Sequence, residues 1–430
     1  MMEAGVTTRA HAELSRWLAA LAASVEARWA EAGRTTATFA AVATAALGAH
    51  PPPAELDFAG LVAAIAGGFP VGRQGAPGSQ FGEPPLTLHH GDGFYVDAYV
   101  WRSATTSLHQ HAFAGAFTPL AGASVEARYR FDETRSIDPG IRLGRLDLVD
   151  VEVLGRGDVR AIEPGDALIH SVFHLGHPSV TICVRTPELD AWRPQLDYAP
   201  PSVAFDPFAS DAVLRRTIGL LSAAIEADHA GGLACFDEWL TRARPYESFI
   251  ALLWLVPKLG LEALAGRMEA LAKNRAIDDE AREAFERAAR EHVRRAGYRG
   301  LRTLSRSPEH RLLLAGQLAF ASRAPLLAWL NAHRLAEGTA KERALATIAE
   351  VQAAAGDDAA PWGLPIGKVE HAVLAALLDG DDDATVESRV LAGPHPPRRD
   401  EIRLACALLR HAPLLAPLTD AVPSSDVASR

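Results

Sequence analysis

Between Leu86 and Thr186 the chain reads as eight short β-rich runs, set inside a sequence that elsewhere follows helical periodicity. The runs are Leu86–Leu88, Phe94–Trp101, Ser107–Phe117, Ser124–Phe131, Leu143–Leu154, Val159–Ile162, Ala167–His174 and Ser179–Thr186. Turn signals separate them, among them Asp92-Gly93, Ala121-Gly122 and Gly155-Arg156-Gly157-Asp158. Strands this short bury their apolar faces only by closing on one another, so the spacing predicts a sandwich or small barrel.

On either side the pattern is helical. Leu14, Trp17, Leu18 and Leu21 recur at helical spacing, Leu56–Ile65 repeats the pattern, and Pro51-Pro52-Pro53 divides the two. A Gly- and Pro-rich connector runs from Gly67 to Pro85. Residues 187–207 read as loop, and helices follow to about Leu415, including Ala212–Ala227, Asp279–Ala296, Lys341–Ala355 and Glu401–Leu409. At 430 residues the chain exceeds one ordinary core. The expectation is an α+β multidomain protein: a helical segment over 1–68, a β-barrel over 69–190, an all-α domain over 208–418 and a disordered tail over 419–430.

Composition excludes several functions. A net charge of −10 with no basic stripe argues against nucleic-acid binding. The three cysteines, Cys183, Cys235 and Cys406, form neither a disulfide framework nor a zinc knuckle. The apolar stretch Ser248–Gly266 is interrupted by Pro257 and Lys258, which predicts two buried helices rather than a membrane span. With no secretory signal pattern at the N-terminus, a cytoplasmic location without membrane attachment is expected.

The chemistry concentrates in the β segment. In His109-Gln110-His111, residues two apart on a strand face the same side, so two imidazoles reach one point. Pro164-Gly165-Asp166 and His170 add a turn and a third imidazole. Three imidazoles hold a metal while leaving positions open, and they suit Fe(II) as well as Zn, Ni or Cu. No phosphate-binding loop, nucleophile elbow or HExxH helix accompanies them.

Together these motifs resemble those of the cupin superfamily over residues 86–190. The resemblance implies a cupin-type double-stranded β-barrel, or jelly roll. Many cupins carry a glutamate ligand four or five residues after the second histidine, where this chain has Gly115 and Ala116. The segment is therefore most similar to the three-histidine branch, the cysteine or thiol dioxygenases. Trp101 stands near that family's spacing, and Gly115 matches the glycine of bacterial members. Ser179–Pro187 resembles the strand that bears the family's Ser-His-Tyr set, here replaced by Thr181, Cys183 and Arg185.

The resemblance implies a non-haem iron oxygenase acting on a small molecule and dioxygen, with His109, His111 and His170 as ligands. His174, on the same strand face as His170, and Arg185 are the expected catalytic residues, Arg185 anchoring a carboxylate through its guanidinium. Thr181, Cys183, Tyr99, Trp101, Phe113 and Phe117 are the expected substrate contacts, with core packing the ordinary alternative for the aromatic residues and for Cys183. Arg128 and Arg130 read as a solvated strand face. Two further readings stay open: a zinc or nickel isomerase or hydrolase, and a non-catalytic cupin sensor or scaffold. The helical domain would serve a protein partner or a homo-oligomer.

Overall fold

The computed structural model describes residues 4–74, 81–102, 105–305 and 307–420, so the tail expected at the C-terminus lies, from 421 onward, outside the described residues. The chain divides into two compact units, Met1–Phe249 and Ile250–Arg430.

The first unit opens with α1 (Ala4–Glu31), α2 (Thr36–Ala49) and α3 (Phe58–Ala66). On α1, Leu14, Trp17, Leu18, Leu21 and Val25 recur three or four residues apart, and all are buried. Asp57 caps α3 by accepting a hydrogen bond from the Gly60 amide, which satisfies one of the helix's orphan donors.

The strands are β1 (Pro85–His90), β2 (Tyr95–Trp101), β3 (His109–His111), β4 (Gly115–Ala121), β5 (Ser124–Asp138), β6 (Ile141–Leu154), β7 (Arg160–Ile162), β8 (Gly165–His174), β9 (Ser179–Arg185), β10 (Asp197–Ala199) and β11 (Val203–Phe205). They build two antiparallel sheets: a five-stranded one in the order β1-β2-β9-β4-β7, and a closed barrel in the order β10-β11-β6-β5-β8-β3.

Alternation on β9 shows how the layers are assembled. Val180, Ile182 and Val184 join the core made with α1, α2 and α3, while Cys183 joins a second cluster with Tyr99, Phe117, Leu168 and Val172, drawn from both sheets. Both faces of β9 are buried, and its inward polar residues Thr181 and Arg185 are hydrogen bonded, to Trp101 and Asp97.

Two expectations are corrected here. The run Ser107–Phe117 is not one strand: β3 belongs to the barrel and β4 to the five-stranded sheet, with residues 112–114 crossing between them. Gly115 permits the crossing, because a Cβ there would lie 2.3 Å from the Val184 carbonyl oxygen. Nor is the stretch 187–207 simply loop. It carries β10 and β11, and Asp197 on β10 pairs with His109 to close the barrel. Strands of three residues around Pro200-Pro201 are too short to show alternation.

The first unit then adds α4 (Ala212–Ala227) and α5 (His229–Leu240), capped by Asp211 and Asp228. α6 (Pro245–Leu259) spans the division between units. The break expected at Pro257 falls at Gly260, whose φ of 84° ends the helix.

The second unit is helical: α7 (Leu264–Leu271), α8 (Asp279–Leu304), α9 (Pro308–Ala319), α10 (Arg323–Ala332), α11 (Ala340–Ala355), α12 (Lys368–Leu378), α13 (Asp383–Leu391), α14 (Arg399–His411) and α15 (Ala416–Thr419). A reciprocal capping box between Thr339 and Glu342 starts α11. The fully buried Trp362 donates its indole N–H to the Ile348 carbonyl at 3.3 Å. No helix among the described residues is long and apolar enough to cross a membrane.

Candidate metal centre

The barrel's hydrogen-bond register brings the three histidines together. His109 on β3 stands opposite His170 on β8, and a bulge between His109 and His111 places His111 opposite Gly165. Gly165, with φ of 71°, supplies the left-handed turn residue of Pro164-Gly165-Asp166 from which β8 starts. One ring nitrogen from each histidine lies within 4.8 Å of the other two, and all three side chains are buried.

Hydrogen bonds on the far side of two rings assign their tautomers. His109 Nδ1 lies 2.8 Å from the Ser107 carbonyl oxygen, which only accepts, so Nδ1 carries the proton and Nε2 keeps its lone pair. That Nε2 is buried with no hydrogen-bond partner. His170 Nδ1 donates to Glu126 Oε1 at 2.6 Å, leaving its Nε2 lone pair to face His111 Nε2 at 3.0 Å. Nitrogens bound at right angles to one cation, with bonds of about 2.1 Å, stand at this spacing.

Electrostatics favour the ligating form. Burial, reinforced by His170, pushes the His109 imidazole down to about 3. Burial and the two neighbouring imidazoles hold His111 well below the usual histidine value. Both are therefore neutral at ordinary pH, as metal ligation requires. Burial alone would raise the Glu126 carboxyl, but the hydrogen bond from His170, with Arg160 and Arg128, holds it below its ordinary value. A buried, unpartnered nitrogen beside two more imidazoles fits a first-row divalent cation.

A cavity of about 40 Å³ opens beside the histidines. His111, His170 and His174 line it, as do Tyr99, Trp101, Phe113, Phe117, Thr181 and Cys183. His174 lies outside the three-histidine group; its ring stacks on Trp101 with centroids 4.4 Å apart, and its Nδ1 is 2.9 Å from Ser124 Oγ. Trp101 Nε1 donates to Thr181 Oγ1 at 3.1 Å. Burial pushes the Cys183 thiol up to about 12, so it stays protonated as a wall group.

Arg185 sits differently from the expected carboxylate anchor. It is absent from the cavity lining, and its Nε donates to Asp97 Oδ2 at 2.7 Å. The guanidinium lies 5.1 Å from the Tyr95 ring and 5.3 Å from the Phe113 ring. Asp97 also accepts from Thr87 Oγ1 at 2.7 Å and from the Tyr99 hydroxyl at 3.1 Å.

Sequence reasoning missed three participants. Glu126 lies on the same strand face as Arg128 and Arg130, yet it is 1% exposed and holds His170. Arg128 and Arg130 are solvated as expected, with side chains 39% and 61% exposed, but the same face is buried at Glu126, because β5 pairs with the ligand-bearing β8 and no local pattern marks the pairing. Asp97 reads as an isolated acid on an apolar strand, which is a usable signal for a buried partner. Phe81, from the connector, lies edge-on to Trp101 at 5.0 Å and to His109 at 5.8 Å.

The barrel and its three histidines are compatible with a cupin-like metal site. A scan against protein-family models and a search of curated proteins return no match.

Proposed function

We propose that the first unit is a cupin-type metalloenzyme, a non-haem iron-dependent oxygenase resembling the thiol dioxygenases, with a small thiol and dioxygen as substrates. The observation that carries this reading is the buried His109 Nε2, which has no hydrogen-bond partner and belongs to a three-imidazole group beside an aromatic-walled cavity. His109, His111 and His170 would hold the cation. Bound ferrous iron would supply the redox centre for RSH + O₂ → RSO₂H, in which sulfur gives up four electrons, dioxygen takes them and no other reductant is consumed.

The chain's own residues set the conditions for that chemistry. The Ser107 carbonyl and Glu126 fix the His109 and His170 tautomers, so both Nε2 lone pairs are available without rearrangement. Glu126 also raises the basicity of His170 as a ligand. Trp101, Phe113 and Phe117 keep water from the reacting atoms. Thr181 accepts from Trp101 and so keeps its own O–H to donate toward a bound substrate. His174, held flat on Trp101, presents an imidazole at the same wall for substrate positioning or proton transfer.

Anaerobic purification with ferrous iron, followed by elemental analysis, tests the assignment. The expected result is about one iron per chain, lost in His109→Ala, with oxygen uptake that depends on an added small thiol. Iron-free protein, or iron retained equally by His109→Ala, sinks the reading.

A further inference from the structure

The cavity beside the three histidines is bounded by rings and short apolar or hydroxyl side chains. Among its described lining residues none is Asp, Glu, Lys or Arg. A carboxylate entering this space finds no cation on the protein wall to replace its water shell.

Arg185 is the cation that alternation places on the inner side of β9, and Asp97 takes it out of play. The two side chains are 7% and 3% exposed, the Nε–Oδ2 distance is 2.7 Å, and the ring of Phe113 lies against the guanidinium. Asp97 cannot turn away, because Thr87 holds its Oδ1 while Tyr99 and Arg185 hold its Oδ2. The pair is therefore neutral as a unit and fixed in place. At about 40 Å³, the cavity has room for about three waters, so only a few non-hydrogen atoms of a substrate tail fit.

Resting on the thiol reading above, we propose that the substrate is a compact thiol whose tail is uncharged, and that Asp97 is the specificity-determining residue that excludes carboxylate tails by neutralising Arg185. The cavity thus selects against amino-acid-like and other acid-bearing thiols on charge, in addition to its limit on size.

The test uses full-length protein loaded with cobalt(II) and two probes of one shape, 3-mercaptopropionamide and 3-mercaptopropionate, titrated through the thiolate-to-cobalt absorption bands. The amide is expected to bind at least about 10-fold tighter than the acid, the minimum cost of leaving the carboxylate unpaired. In Asp97→Asn that preference falls at least about 5-fold, because Arg185 regains a charge the acid can use. Cobalt stoichiometry reports whether the variant retains its centre. Equal or tighter binding of the acid by wild type overturns the proposal, whether or not the variant folds. A preference unchanged in a cobalt-loaded Asp97→Asn protein overturns it as well. Cobalt that does not bind, or a wild-type protein giving no thiolate band with either probe, fails the underlying thiol-site reading and takes the proposal down with it.

Discussion

The barrel buries a polar cluster and the helical unit half-buries one, and the two are built on opposite plans. In the helical unit, Glu291 accepts from Arg294 at 2.6 and 2.7 Å and from Arg295 at 2.9 Å. Arg294 also donates to the Tyr298 hydroxyl and to the Gln317 carbonyl, Arg295 to the Leu318 carbonyl, and the Tyr298 hydroxyl to the Leu414 carbonyl. Opposite charges meet, and the cluster ties α8 to the end of α9 and to the segment before α15. In the barrel, three imidazole nitrogens converge on one point, and His109 Nε2 has no hydrogen-bond partner there. Burying an unsatisfied acceptor costs about 1–3 kcal/mol, so this arrangement works against folding. Polar burial that closes on itself serves stability; polar burial that leaves lone pairs aimed at one point serves binding.

The sharpest way to break that contrast is to remove one member of each cluster. His109→Ala should lower affinity for ferrous iron or cobalt at least about 1,000-fold, or about 4 kcal/mol. It should change the apo protein's unfolding free energy by less than about 1 kcal/mol, because deleting an unsatisfied acceptor offsets the lost packing. Glu291→Gln should do the reverse. Leaving two arginines without their carboxylate should cost about 3 kcal/mol in urea unfolding of the helical unit, with metal content unchanged. Comparable stability losses in both variants would erase the distinction drawn here.

Glu126 is a smaller and finer probe, since it belongs to the barrel cluster but resembles the helical one in being paired. It accepts from His170 and lies 3.2 Å from Arg160, which also reaches Glu152. Glu126→Gln should weaken metal binding about 10- to 100-fold by loosening the His170 tautomer and lowering its basicity. Competition against a calibrated chelator measures this directly; an affinity within a factor of two of wild type would reduce Glu126 to a packing residue.

What was legible in the sequence is what depends on near neighbours. His109 and His111 share a face because strands alternate, and Pro164-Gly165-Asp166 announces the turn before His170. The bounds Ala212–Ala227 agree with α4 because Asp211 marks its start with a side-chain cap. What was not legible depends on pairing across the sheet. Alternation correctly put Arg185 beside Thr181 and Cys183 on β9, but not that Asp97, on the neighbouring β2, would bind it. The same holds for Glu126, whose burial follows from the β5–β8 pairing. β10 and β11 escaped because three residues carry no period to read.

The smallest expected effect concerns acid sensitivity in the helical cluster. Burial first, then Arg299 and Arg295, depress the His292 imidazole to about 4, against an ordinary value near 6.5; Glu291 opposes them. A base whose folded-state value is depressed leaves the unfolded chain binding more protons between those two values, so stability falls as pH drops from about 6.5 to about 4. With the side chain only partly buried, the loss should be about 1 kcal/mol across that window. His292→Gln, which cannot titrate, should flatten the slope of unfolding free energy against pH in the helical unit. A slope unchanged by that substitution would mean the cluster's charges respond to acid through another group, and the closed arrangement around Glu291 would be the place to look.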